Sequence, residues 1–254
     1  ARYYVDTVGS NVNFVSFVDV FVVISIVSSV SYCLFVLISV FFFVVFANPL
    51  PDEAYYWLWS KNRALSYFDH PPLAAWLQAF LFSFSDNKYF GIRALPVISL
   101  GFVLTIIIVW QRIMSKRLNY GLCLKSVVLF LAFPIYAIFF SISFPDHLLI
   151  TLLFASSFFL FLYFETNSKL SHRIYYWYLA TLFFSLALLT KYNAVLLGLG
   201  VLAYISYYKK QIDGPSYVHI IISIIMIALI QMPVLLWNIS CLLYTSDAAD
   251  EWLR

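Results

Sequence analysis

Residues 73–84 read LAAWLQAFLFSF, and whether they cross a membrane or lie along its surface decides the side on which every later loop falls. A hydrocarbon core of about 30 Å needs about 20 helical residues rising 1.5 Å each. This stretch follows Pro71-Pro72, contains Gln78 and is only a dozen residues long. An interfacial or re-entrant helix suits it better than a span.

On either side the chain is a succession of longer apolar runs. Spans are expected over 20–46, 92–111, 126–143, 147–164, 174–190, 193–208 and 217–237. Of 254 residues, 63% are apolar and 11% charged, and the mean hydropathy is +0.91. A water-soluble domain needs far more charge on its surface, so lipid is the expected solvent. The runs 92–111 and 126–143 carry no charge except Arg93. A net charge of +3, divided among loops, gives no basic face for nucleic acid. Cys33, Cys123 and Cys241 show no metal-ligand spacing, and the first two read as small apolar packing residues.

The fold class is therefore all-α: a polytopic membrane protein of about seven transmembrane helices, with juxtamembrane helices in the first outer loop. Residues 1–19 form a cytoplasmic segment, and 20–240 the membrane module. Residues 241–254, CLLYTSDAADEWLR, break from the preceding style and match translated sequencing-adaptor DNA (TGT CTC TTA TAC ACA TCT encodes Cys241 to Ser246). The module is accordingly expected to be the amino-terminal part of a longer one.

Lysine and arginine check the topology. With 73–84 at the surface, Arg2, Arg112, Lys116, Arg117, Lys125, Lys169, Arg173, Lys209 and Lys210 fall inside. Lys61, Arg63, Lys88, Arg93 and Lys191 fall outside, five against nine, which is the expected bias. Making 73–84 a span would export the basic cluster 112–125. The outer face then gathers Asp52, Glu53, Asp69, His70, Asp86, Asp146, His147, Lys191 and Asn193.

Residues 48–78, NPLPDEAYYWLWSKNRALSYFDHPPLAAWLQ, hold most of the candidate chemistry. Pro51 and Asp52 suit a helix start, where the positive end of the helix dipole favours ionised carboxylates, the form a general base takes. Tyr55, Tyr56, Trp57 and Trp59 make an aromatic belt for the bilayer surface. As plain structure, Asp52 and Glu53 cap a helix and keep a loop wet. Asp146 in SFPDHLL and Lys191 in LLTKYN add charged groups at span ends on the same side.

DEAYYWLW…YFDHPPLAAW resembles the first outer loop of the polyprenyl-phosphate-dependent glycosyltransferases of GT-C fold. The closest resemblance is to the group holding the lipid A aminoarabinose transferase and the protein O-mannosyltransferases. FGIRALP (90–96), FPDHLLITLLF (144–154) and LALLTKYNAVLLG (186–198) match that pattern in order and spacing. The resemblance runs from about residue 48 to Ser240. It implies Asp52 as catalytic base with Glu53 beside it, and Asp146 in the same pocket. It also implies His70 near the carrier phosphate, and Tyr55, Tyr56, Tyr67, Asp69, Arg63 and Lys191 complete the expected donor- and substrate-binding set. Where the lipid A enzymes carry Lys before the proline and Arg after the acidic pair, this chain has His70 and Tyr55, which puts aminoarabinose specificity in doubt.

The implied reaction moves a sugar, with inversion, from a polyprenyl-phosphate donor to a lipid or glycan acceptor such as lipid A, on the periplasmic face of the cell inner membrane. A phosphate leaves without strong acid, so one base suffices, unlike glycosidases with their two carboxylates. Positive groups must then meet charge growing on the phosphate. Arg63, Arg93 and Lys191 suit either that task or interface anchoring. No cofactor is required. Asp69, His70, Asp146 and His147 are the set with divalent-metal chemistry, but helix-start capping explains both Asp–His pairs more cheaply. The alternatives are protein O-mannosyl transfer, secondary transport and a non-catalytic membrane subunit. Transport is disfavoured because the acids sit at span ends rather than mid-bilayer.

Overall fold

The computed structural model describes residues 3–84, 88–116, 119–165, 170–208, 212 and 214–252, with side chains from 22 to 241 outside 88–90 and 170–172. Arg2, Asp86, Arg117, Lys169, Lys209 and Lys210, used above for orientation and the outer face, lie outside the described residues.

Lipid offers the backbone no hydrogen bonds, so apolar chain in it must satisfy its own amides, and helices are the expected solution. In order the helices are α1 (Tyr3–Phe46), α2 (Pro51–Lys61), α3 (Leu73–Phe82), α4 (Lys88–Met114), α5 (Tyr120–Leu131), α6 (Pro134–Phe139), α7 (Pro145–Glu165), α8 (Leu170–Leu188), α9 (Val195–Tyr207) and α10 (Tyr217–Trp252). A 3-10 turn, Tyr192–Ala194, precedes α9. No strand occurs among the described residues.

Among the described residues four helices are long and apolar enough to cross a membrane: Val22–Phe46, Gly91–Met114, Pro145–Glu165 and Tyr217–Cys241. The share of buried residues ranks them. In an apolar 18-residue stretch of each, 50% of the residues are inside in α4 and 56% in α7, against 17% in α1 and 11% in α10. α4 and α7 therefore form the centre, and the exposed Val, Ile, Leu and Phe of α1 and α10 are lipid-facing flanks.

Two expected spans differ from continuous helices. Over 126–143, α5 stops at Leu131 and α6 restarts at Pro134, because a proline donates no hydrogen bond and its ring crowds the preceding turn. Over 193–208 the chain begins as a 3-10 turn and continues in the 13-residue α9. The interfacial reading of 73–84 agrees with α3, whose ten residues cover about 15 Å, half a bilayer core.

Packing uses lipid-bilayer devices. α7 and α8 lie closely together where Ala155, Ser156 and Ala180 are small and buried, with Ser156 Oγ donating to the Ala180 carbonyl at 2.9 Å. α10 is tied to α8 by Trp177 Nε1 donating to Ser223 Oγ at 2.8 Å and Gln231 Nε2 donating to the Ser185 carbonyl at 2.9 Å. α1 meets α4, α5 and the residue after α6 through Val36, Val40, Val103, Phe130 and Phe140.

α3 is held at one end of this bundle. The Leu73 amide donates to the Leu189 carbonyl at 3.1 Å, past the end of α8. Gln78, buried, donates to Ser143 Oγ at 3.1 Å and to the Ile92 carbonyl at 3.2 Å. Segments 48–72, 141–147 and 189–194 thereby share that end.

The contact of α3 with the start of α4 requires a glycine. A Cβ on Gly91 would overlap the Phe82 ring. Gly91→Val is expected to push α3 off α4 and cost about 1–3 kcal/mol by overpacking, read as a lower midpoint of thermal unfolding in detergent. An unchanged midpoint would show that α3 does not depend on this contact.

Candidate active site

The sequence Leu50-Pro51-Asp52-Glu53 shapes the start of α2. Leu50 is extended (φ −72°, ψ 157°), as a residue before proline prefers, and Pro51 opens the helix. Three residues on, Glu53 turns back and accepts the Leu50 amide at 2.9 Å. Asp52 therefore stands exposed while Glu53 points inward, fully buried.

Glu53 meets Arg93 in a two-pronged pair. Nε donates to Oε1 at 2.9 Å and Nη2 to Oε2 at 2.7 Å. The same guanidinium donates to the carbonyls of Phe43 (2.8 Å), Ala47 (2.9 Å) and Asn48 (3.2 Å), at and just past the end of α1. The last carbonyls of a helix lack partners and carry its negative dipole end, so Arg93 caps α1. Its guanidinium also lies over the Phe43 ring, 4.6 Å from the centroid. Glu53 Oε1 additionally accepts the Ser143 amide at 3.0 Å. Burial pushes the Glu53 carboxyl up, but the hydrogen bonds from Arg93, Leu50 and Ser143 and the Arg93 charge outweigh it and hold it below its usual value.

This corrects two expectations. Glu53 is not a second carboxylate open to substrate, because both its oxygens are taken by protein donors. Arg93 is neither a phosphate contact nor a surface anchor; at 2% exposure it belongs to the interior.

Tyr56, one turn after Asp52, is the meeting point of the remaining groups. Its ring stacks on His70 (5.9 Å) and meets Trp59 (5.1 Å) and Phe144 (6.0 Å) edge-on. Burial, then the charges of Asp146, Asp52 and Asp69, push its hydroxyl up to about 12, so it stays protonated and can donate a hydrogen bond. Asp146, in the first turn of α7, accepts from Lys191 Nζ at 2.8 Å, joining the start of α7 to the segment after α8. Burial and the Lys191 charge lower the His70 pKa against the pull of Asp69 and Asp146. Asp52, Asp69, Asp146 and His70 thus lie about one tyrosine, with Lys191 paired to Asp146 and its charge felt by His70.

The other expected residues divide. Tyr55 donates to Asp69 Oδ2 at 2.8 Å and so steadies the turn that carries His70. Tyr67 is a correction: it is buried, lies flat on Trp59 at 4.5 Å, and donates to the Trp59 carbonyl at 2.8 Å. Its hydroxyl is engaged by the backbone at the end of α2. Arg63 stands exposed beyond that end of α2, where its charge is felt by Tyr67. His147 turns from Asp146 into the core, where Nδ1 lies 3.0 Å from Ser99 Oγ. Among the described residues no three His, Cys, Asp or Glu converge as a metal site. Phe144 and Ser143 were not among the expected residues, and Trp59, expected in the aromatic belt, packs between Tyr56 and Tyr67. An isolated charge such as Arg93 in an apolar run was the available signal for the buried pair.

A family profile described as dolichyl-phosphate-mannose-protein mannosyltransferase matches residues 69–237, about two thirds of the chain. The chain belongs to this family. Within the matched stretch of this mannosyltransferase-family chain lie Asp69, His70, Arg93, Asp146 and Lys191, whereas Asp52 and Glu53 precede it. The fold is similar to the crystal structure of ArnT from Cupriavidus metallidurans in the apo state, with a TM-score of 0.61 at 16% identity. The match covers 82% of this chain and 41% of ArnT, so the chain spans about two fifths of that protein's length. The GT-C fold of the family is thereby shown. No curated protein sequence matches the chain.

The buried pair makes a stability prediction. Arg93→Leu or Glu53→Leu, each stranding one buried charge, is expected to cost about 3–5 kcal/mol. The Glu53→Leu/Arg93→Leu double variant should recover part of that loss in thermal unfolding. Because the folded pKa of Glu53 is depressed, its contribution is present above the ordinary carboxylate range and lost as pH falls through the folded value. Melting midpoints measured from pH 7 downward should therefore fall more steeply in the parent than in Glu53→Gln.

Proposed function

We propose that this chain is the membrane module of an inverting glycosyltransferase that takes a hexosyl or pentosyl group from a polyprenyl-phosphate donor, with Asp52 as general base. The observation that carries the reading is the placement of Asp52, an exposed carboxylate at a helix start, beside a half-buried cluster in which His70 stacks on Tyr56 and Lys191 pairs with Asp146. Family membership supports transferase chemistry of this kind.

In the proposed step Asp52 removes the proton of the acceptor hydroxyl. That oxygen attacks the anomeric carbon from the side opposite the phosphate. The bond from carbon to the phosphate oxygen breaks, its electron pair leaves with the phosphate, and the single displacement inverts the centre. Lys191, with Tyr56 as a hydrogen-bond donor, meets the charge that develops on the leaving group. Trp59 and Tyr56 offer flat faces against which a sugar ring can rest. No residue is needed as a strong acid.

The acceptor is proposed to be a lipid or glycan, such as lipid A, at the periplasmic face of the cell inner membrane. A second reading, transfer of mannose to protein hydroxyls, is favoured by the family's description as a dolichyl-phosphate-mannose-protein mannosyltransferase. Competition assays offering lipid A or a Ser/Thr-rich peptide separate the two.

Asp52→Asn is expected to lower transfer by about 10²–10⁴-fold while membrane insertion and thermal stability stay at the parent level. Measured in vesicles with radiolabelled donor, transfer within a few fold of the parent would remove Asp52 as base. A cysteine placed at Ala54 should react with an impermeant maleimide added from the periplasmic side only.

A further inference from the structure

The outer-end cations are not equivalent. Arg93 is consumed by Glu53 and the carbonyls ending α1. Lys61 lies over the rings of Trp57 and Phe82, 5.8 Å and 5.0 Å from their centroids. Arg63 is exposed past the end of α2. Among the described residues Lys191 is the cation set by His70 and Asp146, and its ammonium is already engaged by the Asp146 carboxylate at 2.8 Å. Any anionic ligand that uses Lys191 must compete with that acid.

The burial of the pair makes such competition workable. The side chains of Lys191 and Asp146 are 23% and 20% exposed, neither sealed nor free. A fully buried pair resists separation because each stranded ion loses its solvation. A fully exposed pair is too weak to matter. In this intermediate position an incoming phosphate can take over the ammonium while water and the amino end of α7 continue to solvate Asp146.

We infer that Asp146 is a tuning residue that competes with the donor's phosphate for Lys191, holding the ammonium in reserve until negative charge grows on the leaving group. The inference rests on the transferase reading above. A sugar–phosphate diester carries one negative charge, the same as Asp146, and so gains little from Lys191 in the ground state. As the anomeric bond breaks, the phosphate gains a second charge and wins the ammonium. The interaction thus strengthens toward the transition state, where it raises the rate, instead of only tightening substrate binding. The same competition weakens retention of the phosphate product, which otherwise clings to a bare lysine.

The test measures phosphate capture without turnover. Farnesyl phosphate is titrated by calorimetry into the chain in nanodiscs, in the parent and in Asp146→Asn, Lys191→Met and double variants. Asp146→Asn should bind about fivefold more tightly, the scale of releasing a partly exposed pair. Lys191→Met should bind at least about tenfold more weakly. The double variant should match Lys191→Met, since with no ammonium there is nothing to compete for. An Asp146→Asn variant that binds no tighter overturns the inference. So does an equal gain in the Lys191→Met background, which means simple repulsion between Asp146 and phosphate. Asp146→Ser, which keeps a helix-start hydroxyl, repeats the measurement should the Asn variant fold poorly. These outcomes are independent of whether transfer requires Asp52, so either idea can fail alone.

Discussion

A buried two-pronged ion pair, Glu53 with Arg93, holds the site end of this helical bundle together. One guanidinium ties the loose carbonyls ending α1 to the first turn of α2, and the carboxylate it holds also accepts the Ser143 amide before α7. The stretch 43–53, Arg93 of α4 and Ser143 are thereby fixed through polar groups that would otherwise be stranded in an apolar setting. Asp52 is adjacent to Glu53 and Asp146 is three residues past Ser143. The separation of the two outward acids is set by the inward pair.

The division of labour between neighbours follows from helix geometry. Successive residues on a helix are rotated by about 100°, so Asp52 and Glu53, chemically alike, face opposite surroundings. One is wet and sits at the positive end of α2. The other is dry, matched to a guanidinium and spent on structure. The aromatic residues split in the same way. Tyr56 projects among the acids and His70, whereas Tyr67 closes the end of α2 beneath Trp59.

Broken helices serve the same end of the molecule. Pro134 divides the expected 126–143 span, and the backbone of 141–144 that follows α6 leaves the Ser143 amide free to donate to Glu53. A continuous helix would have used that amide internally. Likewise the stop of α8 at Leu188 exposes the Leu189 carbonyl to Leu73 and brings Lys191 to Asp146. Irregular backbone at membrane depth persists only where protein groups complete its hydrogen bonds, and here each break is completed by another segment of the site.

The sequence by itself determined what depends on solvent and local geometry. Its apolar runs required a helical membrane protein, the short 73–84 stretch required a surface helix, and Pro51 with Asp52 marked the start of α2. It also named the residues that cluster, Asp52, Asp69, His70, Asp146 and Lys191, because each lies at the polar end of an apolar run. Only the tertiary structure decided how these groups are employed. That Glu53 is held by Arg93, that His147 turns to Ser99, and that Lys191 is shared with Asp146 depend on residues 40 to 48 positions apart in the chain. Side-chain partnership across such distances is fixed by helix packing, and composition and spacing carry no record of it.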